Sequence, residues 1–366
     1  MKYIIKNESA IILAILSLAI LFPLEHILLH NTVFNIIAFV CTFCVIIYAA
    51  LNVAQHAESL AEKYGEPYGT MILTLSAVTV EVIMIAILLQ HTANINLARD
   101  TIVSAILLDI NGLLGIAAII GGIKHGEQDF NFDSSNSYTS MIIVAIGISM
   151  IMPIFIPEVY MNAYLIFLVV IFIFMFIVFT RIQVKEHYYF FRYDYSKRHK
   201  QKKLITDADT TTEKINGLYE AFFLLVSLIS IGLLSELLSS FMNMSLQHFD
   251  MPIAISALVV AIVSASPELI TALKSAIENK MQTVINIALG ASLSTVLLTI
   301  PAVIILSFVT GHGLNLSMSN TQIILLTLTF LVCIIHYYDG QSNMLEGAIH
   351  FVLFLVFIFI LVIDQF

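Results

Sequence analysis

Three carboxylic acid residues lie near the middle of long apolar segments of this 366-residue chain. Glu81 stands in GTMILTLSAVTVEVIMIAILL, Asp109 in TIVSAILLDINGLLGIAAII and Glu268 in IAISALVVAIVSASPELITA. An ionised group at the centre of a membrane helix costs about 2.5–3.5 kcal/mol on insertion scales, so it usually faces an interior cavity. Carboxylate oxygens bind hard cations, accept protons or act as general bases. The structural alternative for each residue is a protonated carboxyl that hydrogen-bonds two helices together.

The composition around these residues is that of an integral membrane protein. Hydrophobic residues make up 59% of the chain and charged residues 11%, and the mean hydropathy is +0.96. These values lie well outside those of soluble globular domains. Long apolar runs with few charges predict an all-α protein with eleven transmembrane helices, the second at Thr32–Ala54 and the seventh at Leu218–Ser240.

Basic residues predict the orientation of these spans. With an inner N-terminus and eleven alternating spans, 15 of the 16 Lys and Arg residues fall on the inner side, and Arg99 alone lies outside. Positive residues accumulate on the cytoplasmic side of membrane proteins. We therefore expect a multi-pass protein of the cytoplasmic (inner) membrane, with the N-terminus inside and the C-terminus outside. An even number of spans would place Lys274 and Lys280 outside.

A long hydrophilic segment divides the chain into two halves. We predict an N-terminal transmembrane helix in residues 1–30, a first five-helix repeat in 31–180, a cytoplasmic loop in 181–216 and a second five-helix repeat in 217–366. The acidic end of the loop lacks the glycine and the distal glutamate of a calcium-binding loop, so we interpret it as a solvated linker.

The positions of the two glutamates indicate an inverted repeat. Glu81 lies in the third predicted span and Glu268 in the eighth, and spans that are five apart cross the membrane in opposite directions. Inverted repeats place their binding site at the repeat interface near the bilayer midplane. Asp109 follows Glu81 by 28 residues and Thr295 follows Glu268 by 27. We expect both glutamates to meet in one cavity, with Asp109 nearby.

Proline beside Glu268 predicts a broken helix. Ser266 and Pro267 resemble a helix start, with a capping serine and proline in the first turn. Such a break frees backbone carbonyls, which can face a cavity and coordinate a cation. A simple proline kink is the alternative.

The chemistry of the three carboxyl groups favours an inorganic cation. Oxygen ligands suit hard cations such as calcium, and no histidine or cysteine pair accompanies them to favour zinc or copper. Burial and mutual repulsion oppose a doubly ionised site, so protons compete with the cation for the same oxygens. This competition predicts obligatory exchange of one ligand for the other.

Two other functions use midspan carboxylates. A passive cation channel would surround its pore with repeated carbonyl or acidic rings. A membrane-embedded enzyme would use a carboxylate as general base, assisted by His56, His91 or His336. These histidines lie near span ends, where we expect interfacial polar residues. A proton entry or exit relay at His56 and Glu58 is an alternative, and we interpret both residues as solvated.

The segments GEPYGTMILTLSAVTVEV and SASPELITALKSAIENKMQTVINIALGASLSTVLLTIP resemble the signatures of the cation/calcium exchanger superfamily, most closely its bacterial calcium/proton and sodium/potassium/proton antiporter branch. The resemblance implies inverted five-helix repeats and a cofactor-free transporter that exchanges Ca²⁺, Na⁺ or K⁺ for H⁺. It implies that Glu81 and Glu268 bind the cation and the protons, with Asp109 taking part in proton coupling. The supporting positions that it implies are Thr74, Ala77, Asp109, Ala261, Ser264 and Thr295, of which the alanines offer only backbone oxygens.

The chain departs from the superfamily pattern at two places. Many calcium exchangers carry Gly-Asn-Ala before the glutamate, whereas AVTVE and SASPE stand here, and an asparagine is usual where Asp109 lies. The choice among calcium, sodium and potassium therefore stays open. The expected partners are inorganic cations, protons and the lipid bilayer, and we expect neither enzyme activity nor a nucleic-acid partner.

Overall fold

Nearly all of the described chain is helical. The computed structural model describes residues 8–65, 68–92, 94–183, 216–363 and 366. Ten helices in these ranges are long and apolar enough to cross a bilayer, and one bent helix pair brings the number to eleven when it is counted as a single span. The protein is thus an all-α membrane protein, as predicted. The linker interpretation concerns residues 184–215, which lie outside the described ranges.

The elements follow the order of the predicted spans, with short π-helical segments inside three of them. Two-residue strands β1 (Gln128–Asp129) and β2 (Gln341–Ser342) pair antiparallel. The π-helical segments are Leu108–Leu113, Gly147–Ile151 and Thr295–Thr299. The α-helices are α1 (Ser9–Leu29), α2 (Thr32–Tyr64), α3 (Tyr68–His91), α4 (Leu97–Leu107), α5 (Leu114–His125), α6 (Phe132–Ile146), α7 (Glu158–Arg181), α8 (Gly217–His248), α9 (Ala254–Ser264), α10 (Ser266–Ile277), α11 (Met281–Ser294), α12 (Ile300–Thr310), α13 (Asn320–His336) and α14 (Met344–Val362).

Helices α2 and α8 extend beyond the apolar runs that predicted them. Helix α2 continues past Ala54 to Tyr64, and α8 continues past Ser240 to His248. The added part of α2 is rich in Ala, Glu and Lys, which favour helix, and its Ala57 is fully buried. The hydropathy pattern therefore located these spans correctly but missed their more polar ends, which are only partly buried.

The span formed by α4 and α5 is the centre of the molecule. Its most apolar window is 83% buried, compared with 11% for α1 and 22% for α7. Small residues allow the close packing of this span, as is common between membrane helices. A Cβ atom added to Gly115 would lie 2.9 Å from the backbone nitrogen of Phe351 in α14. The lack of a side chain at Gly115 therefore allows α5 to lie close to α14.

Buried apolar side chains form two large groups. One group joins α2, α3, α8 and α9 and includes Ile46, Ile85 and Ile231. The other surrounds α4 and α5 and includes Ile106 and Phe172. The polar residues of the predicted site lie where these two groups meet.

The predicted helix break is present, but Ser266 has a different part in it. Helices α9 and α10 meet at an angle of 56°, and Pro267 lies in the first turn of α10. Ser266 does not cap α10. Its hydroxyl instead donates to the carbonyl of Ile262 at 2.5 Å. Serine hydroxyls commonly bond backwards to a carbonyl one turn earlier, which here supplies a donor to a carbonyl that the break would leave free.

The expectation that His56 is solvated was wrong. Its exposed fraction is 4%, because the first turn of α8 packs beside α2 and covers the ring. Glu220 from α8 and Glu8 from the start of α1 bond to its two ring nitrogens. Glu58 is exposed, as expected, and so is His91.

Candidate functional site

A cavity of about 340 Å³ lies between the two groups of buried side chains. Glu81, Asp109 and Glu268 all line it. Helix α3 positions Glu81, the π-helical segment between α4 and α5 positions Asp109, and the first turn of α10 positions Glu268. The structure therefore brings the three midspan carboxyl groups to one cavity.

Glu81 is bound by hydroxyl groups from the other half of the chain. Its Oε2 accepts hydrogen bonds from Thr299 Oγ1 at 2.6 Å and Thr295 Oγ1 at 3.1 Å. The exposed fraction of Glu81 is 4%. Two hydroxyl donors at one carboxylate oxygen stabilise the ionised form, since hydrogen bonds to charged groups are among the strongest in proteins. The contact also fixes α3 against the π-helical segment that follows α11.

Asp109 and Glu268 have fewer partners. Asp109 Oδ2 accepts a hydrogen bond from Ser292 Oγ at 3.3 Å, again from the second half of the chain. Glu268 lies in the first turn of α10, where the partial positive charge of a helix N-terminus favours an anion.

Each of the three carboxyl groups keeps one buried oxygen that has no hydrogen-bond partner among the described residues. These atoms are Glu81 Oε1, Asp109 Oδ1 and Glu268 Oε2. Burying an oxygen that accepts no hydrogen bond costs free energy. A proton or a cation bound to the oxygen removes this cost. Three such oxygens around one cavity are the central feature of the site.

The carboxyl groups share a cavity but do not yet form a complete coordination sphere. Among the described residues, no three His, Cys, Asp or Glu side chains lie close enough together to hold a metal ion. Hard cations take six or more oxygen ligands, including carbonyls, hydroxyls and water. A bound cation would thus need oxygens other than the carboxylates, or a closer approach of the cavity walls.

The structure places all but one of the predicted site residues in the cavity lining. Ala261 is fully buried outside the lining, and its carbonyl oxygen accepts bonds from Ala265 N at 2.9 Å and Ser264 Oγ at 3.1 Å. Its proposed role as a ligand stays a prediction. The predicted site residues that line the cavity are Thr74, Ala77, Glu81, Asp109, Ser264, Glu268 and Thr295.

Two residues that contact the carboxylates were missed by the sequence analysis. Thr299 and Ser292 lie four residues after and three residues before Thr295, in the segment GASLSTVLLTI. That spacing places them near one face of a helix. It is the only signal in the sequence that could have identified them.

The cavity extends from midspan to one end of the helices. We call this end the mouth end. It is marked in the lining by Ala57 of α2, Met71 of α3 and Gln183 after α7. Towards the other end the described lining stops at Glu81 in α3 and at Thr295 after α11. The site is therefore reached from one side of the membrane in this arrangement.

Comparison with known proteins agrees with this architecture. The profile of the family described as sodium/calcium exchanger protein matches residues 34–185 and 219–363, which together are most of the chain. The interval between the two matched regions, residues 186–218, overlaps most of the predicted loop at 181–216.

Individual relatives cover almost the whole chain. The sodium-potassium/proton antiporter ChaA of Escherichia coli (strain K12) is 28% identical over 362 residues, covering 96% of this chain and 95% of that protein. The Ca(2+)/H(+) antiporter ChaA of Bacillus subtilis (strain 168) is 23% identical and covers 84% of this chain and 86% of its own length. A crystal structure of the Ca2+/H+ antiporter protein YfkE superposes with a TM-score of 0.73 at 19% identity, covering 97% of this chain and 99% of that one. The likeness to YfkE concerns the fold.

Proposed function

Because the chain belongs to the sodium/calcium exchanger protein family, we propose that it is a secondary transporter that exchanges cations for protons by alternating access. The transported cation is Ca²⁺, Na⁺ or K⁺, in line with the relatives described as sodium-potassium/proton and Ca(2+)/H(+) antiporters. Glu81 and Glu268 form the site that the cation and the protons share, and Asp109 takes part in proton coupling. Thr74, Ala77, Ala261, Ser264 and Thr295 contribute further oxygens.

One observation carries this proposal. Both halves of the chain supply carboxyl groups to one cavity, and each group keeps a buried oxygen that has no partner in the described part of the chain. An empty site with all groups ionised is costly to enclose within the membrane, whereas protons or a cation neutralise it. The transporter therefore closes around one ligand or the other, and exchange follows from the chemistry of a single site.

The repeat layout and the orientation belong to the same proposal. Residues 31–180 and 217–366 form inverted repeats, and residues 1–30 add the first helix. The π-helical segments at Leu108–Leu113 and Thr295–Thr299 support this layout, since they lie in corresponding spans. The protein lies in the cytoplasmic membrane with its N-terminus inside, so the mouth end faces the cytoplasm.

The alternative functions have less support. A channel needs a continuous path, whereas the described cavity reaches one end of the helices. An enzyme that used a carboxylate as general base would place an assisting histidine beside it. The described cavity lining includes none of His56, His91 and His336.

The test replaces each glutamate by its uncharged isostere in proteoliposomes that carry a proton gradient. Glu81→Gln and Glu268→Gln should each abolish the collapse of the gradient by added cation, because a glutamine side chain neither releases a proton nor binds a cation by charge. A panel of Ca²⁺, Na⁺ and K⁺ identifies the transported ion in the wild type.

A matched control is Glu58→Gln, which changes an exposed glutamate of α2. It should exchange like the wild type. Size-exclusion profiles show whether each variant is folded. Unimpaired collapse of the gradient in both cavity variants would refute the site.

A further inference from the structure

A second group of ionisable side chains lies outside the cavity, at the mouth end. His56 Nδ1 lies 2.7 Å from Glu220 Oε2, and His56 Nε2 lies 3.1 Å from Glu8 Oε2. Tyr219 donates its hydroxyl to Glu8 Oε1 at 2.6 Å. The exposed fraction is 2% for Glu8 and 4% for His56. We call these four residues the histidine bridge.

Proton counting distinguishes this bridge from an ordinary hydrogen-bonded group. A neutral imidazole has one N–H donor and one acceptor nitrogen, whereas an ionised carboxylate only accepts. Both nitrogens of His56 face carboxylate oxygens. The tyrosine hydroxyl satisfies the other oxygen of Glu8 and gives no proton to the ring. Both contacts of the ring are therefore hydrogen bonds only when the bridge holds one proton more than a neutral histidine and two ionised carboxylates.

We propose that the histidine bridge is a proton-binding site, separate from the cavity, in which the His56 imidazolium is held between Glu8 and Glu220. The described ion pairs of both carboxylates are with His56 alone. The imidazolium donates one N–H to each of the two carboxylates. Lys63, on the same helix as His56, packs its side chain against Gly217 at the start of α8.

The proton at this site joins three helices. Glu8 precedes α1, His56 lies in α2, and Tyr219 and Glu220 lie in the first turn of α8. Phe223 of α8 stacks on the His56 ring at a centroid distance of 6.0 Å. When the proton leaves, one ring nitrogen faces a carboxylate without a donor, and a buried, unpaired charge remains.

The histidine bridge also bears on the cavity. Val53 and Ala57, three residues before and one residue after His56 in α2, line the cavity. The bridge therefore holds one wall of the cavity at the mouth end. Its proton makes the packing of that wall depend on the pH at this side of the membrane.

The experiment compares the thermal stability of purified wild-type protein and Glu220→Gln from pH 6 to pH 9. In the pH range where the folded protein holds this proton and the unfolded chain does not, unfolding releases one proton. The unfolding equilibrium constant then rises by up to tenfold for each unit of pH. The wild-type midpoint should thus fall as pH rises. In Glu220→Gln the amide donates to Nδ1 while Nε2–H donates to Glu8, so the contacts need no extra proton and this fall should be absent.

Controls make the result decisive. Glu8→Gln removes the need for the extra proton at Nε2, so its unfolding midpoint should also not fall as pH rises. Glu58→Gln should show the same dependence on pH as the wild type. Parallel profiles for the wild type and both bridge variants would overturn the proposal.

A second measurement is the NMR spectrum of protein with ¹⁵N-labelled histidine rings, in which the His56 signals are identified by their absence in His56→Gln. Two protonated ring nitrogens at pH 6 support the proposal, and one unprotonated nitrogen contradicts it. Neither measurement depends on exchange activity.

Discussion

Glu81 and Glu268 are the same residue type in different surroundings. Two threonine hydroxyls bind Oε2 of Glu81, whereas Glu268 lies in the first turn of α10, at a helix N-terminus. The hydroxyls stabilise the ionised form of Glu81 before any cation arrives. The two glutamates are therefore unequal, and the hydroxyl donors form part of the site.

Thr299→Val tests this contribution, because valine keeps the shape of threonine and removes the donor. The lost bond has a length of 2.6 Å and ends on a carboxylate. Hydrogen bonds to charged groups contribute about 1.5–3 kcal/mol, so the cation concentration for half-maximal exchange should rise at least about tenfold. Exchange measured in proteoliposomes over a cation series gives this value.

The matched control for this variant is Thr42→Val. Thr42 is also fully buried, and its hydroxyl donates within α2 to the carbonyl of Ala38 at 2.7 Å. This change should leave the half-maximal cation concentration as it is in the wild type. An unchanged value in Thr299→Val would mean that the hydroxyl does not support the cation-binding form of Glu81.

The sequence identifies some of the site residues and not others. The midspan carboxyl groups were predictable, because the cost of a charge in the membrane makes such residues rare. Thr299 and Ser292 were not, because most hydroxyls in membrane helices bond to their own backbone, as Thr42 and Ser235 do. The burial of His56 was also missed, since its partners come from residues far away in the sequence.

At the level of elements, the sequence predicted spans and the break but missed the π-helical segments. The break has a local signal in Ser266 and Pro267, and the structure bends there by 56°. The segments at Leu108–Leu113 and Thr295–Thr299 change the hydrogen-bond register by one residue without changing the apolar pattern. They carry Asp109 and the threonines of Glu81, so the local geometry of the site could not be derived from periodicity.

Close packing of α5 against α14 is the contact that holds this central span in place. Gly115→Ala should destabilise the protein by about 1–3 kcal/mol, the usual effect of overpacking. The added methyl group would meet backbone atoms of Phe351 and Gly347, which cannot turn aside as a side chain would. A lower thermal unfolding midpoint in detergent would show this.

Gly147→Ala is the corresponding control. A Cβ atom at Gly147 would meet no atom of the described residues within 4 Å, and alanine favours helix over glycine. This variant should be at least as stable as the wild type. Equal midpoints for Gly115→Ala and Gly147→Ala would contradict the packing argument.

For the whole molecule, a polar network closes the end opposite the mouth. Arg99 and Asp100 form a buried ion pair at 2.7 Å, and Gln322 Nε2 donates to Asp100 Oδ1 at 2.8 Å. Arg99 Nη1 also donates to the carbonyl of Ser317 at 2.7 Å. The positive-inside pattern placed Arg99 in an outer loop and gave no sign of these partners. The network joins the start of α4 to the segment before α13 on the closed side.

One-sided access predicts a one-sided labelling pattern. In a background with Cys41, Cys44 and Cys333 replaced by serine, Ala54→Cys places a thiol in the cavity wall. A membrane-impermeant maleimide should label this thiol in inside-out vesicles and leave it unlabelled in right-side-out vesicles, because the cavity opens at the mouth end. His312→Cys, at an exposed position on the opposite side, should show the reverse. Labelling of Ala54→Cys from the outside alone would invert the proposed orientation.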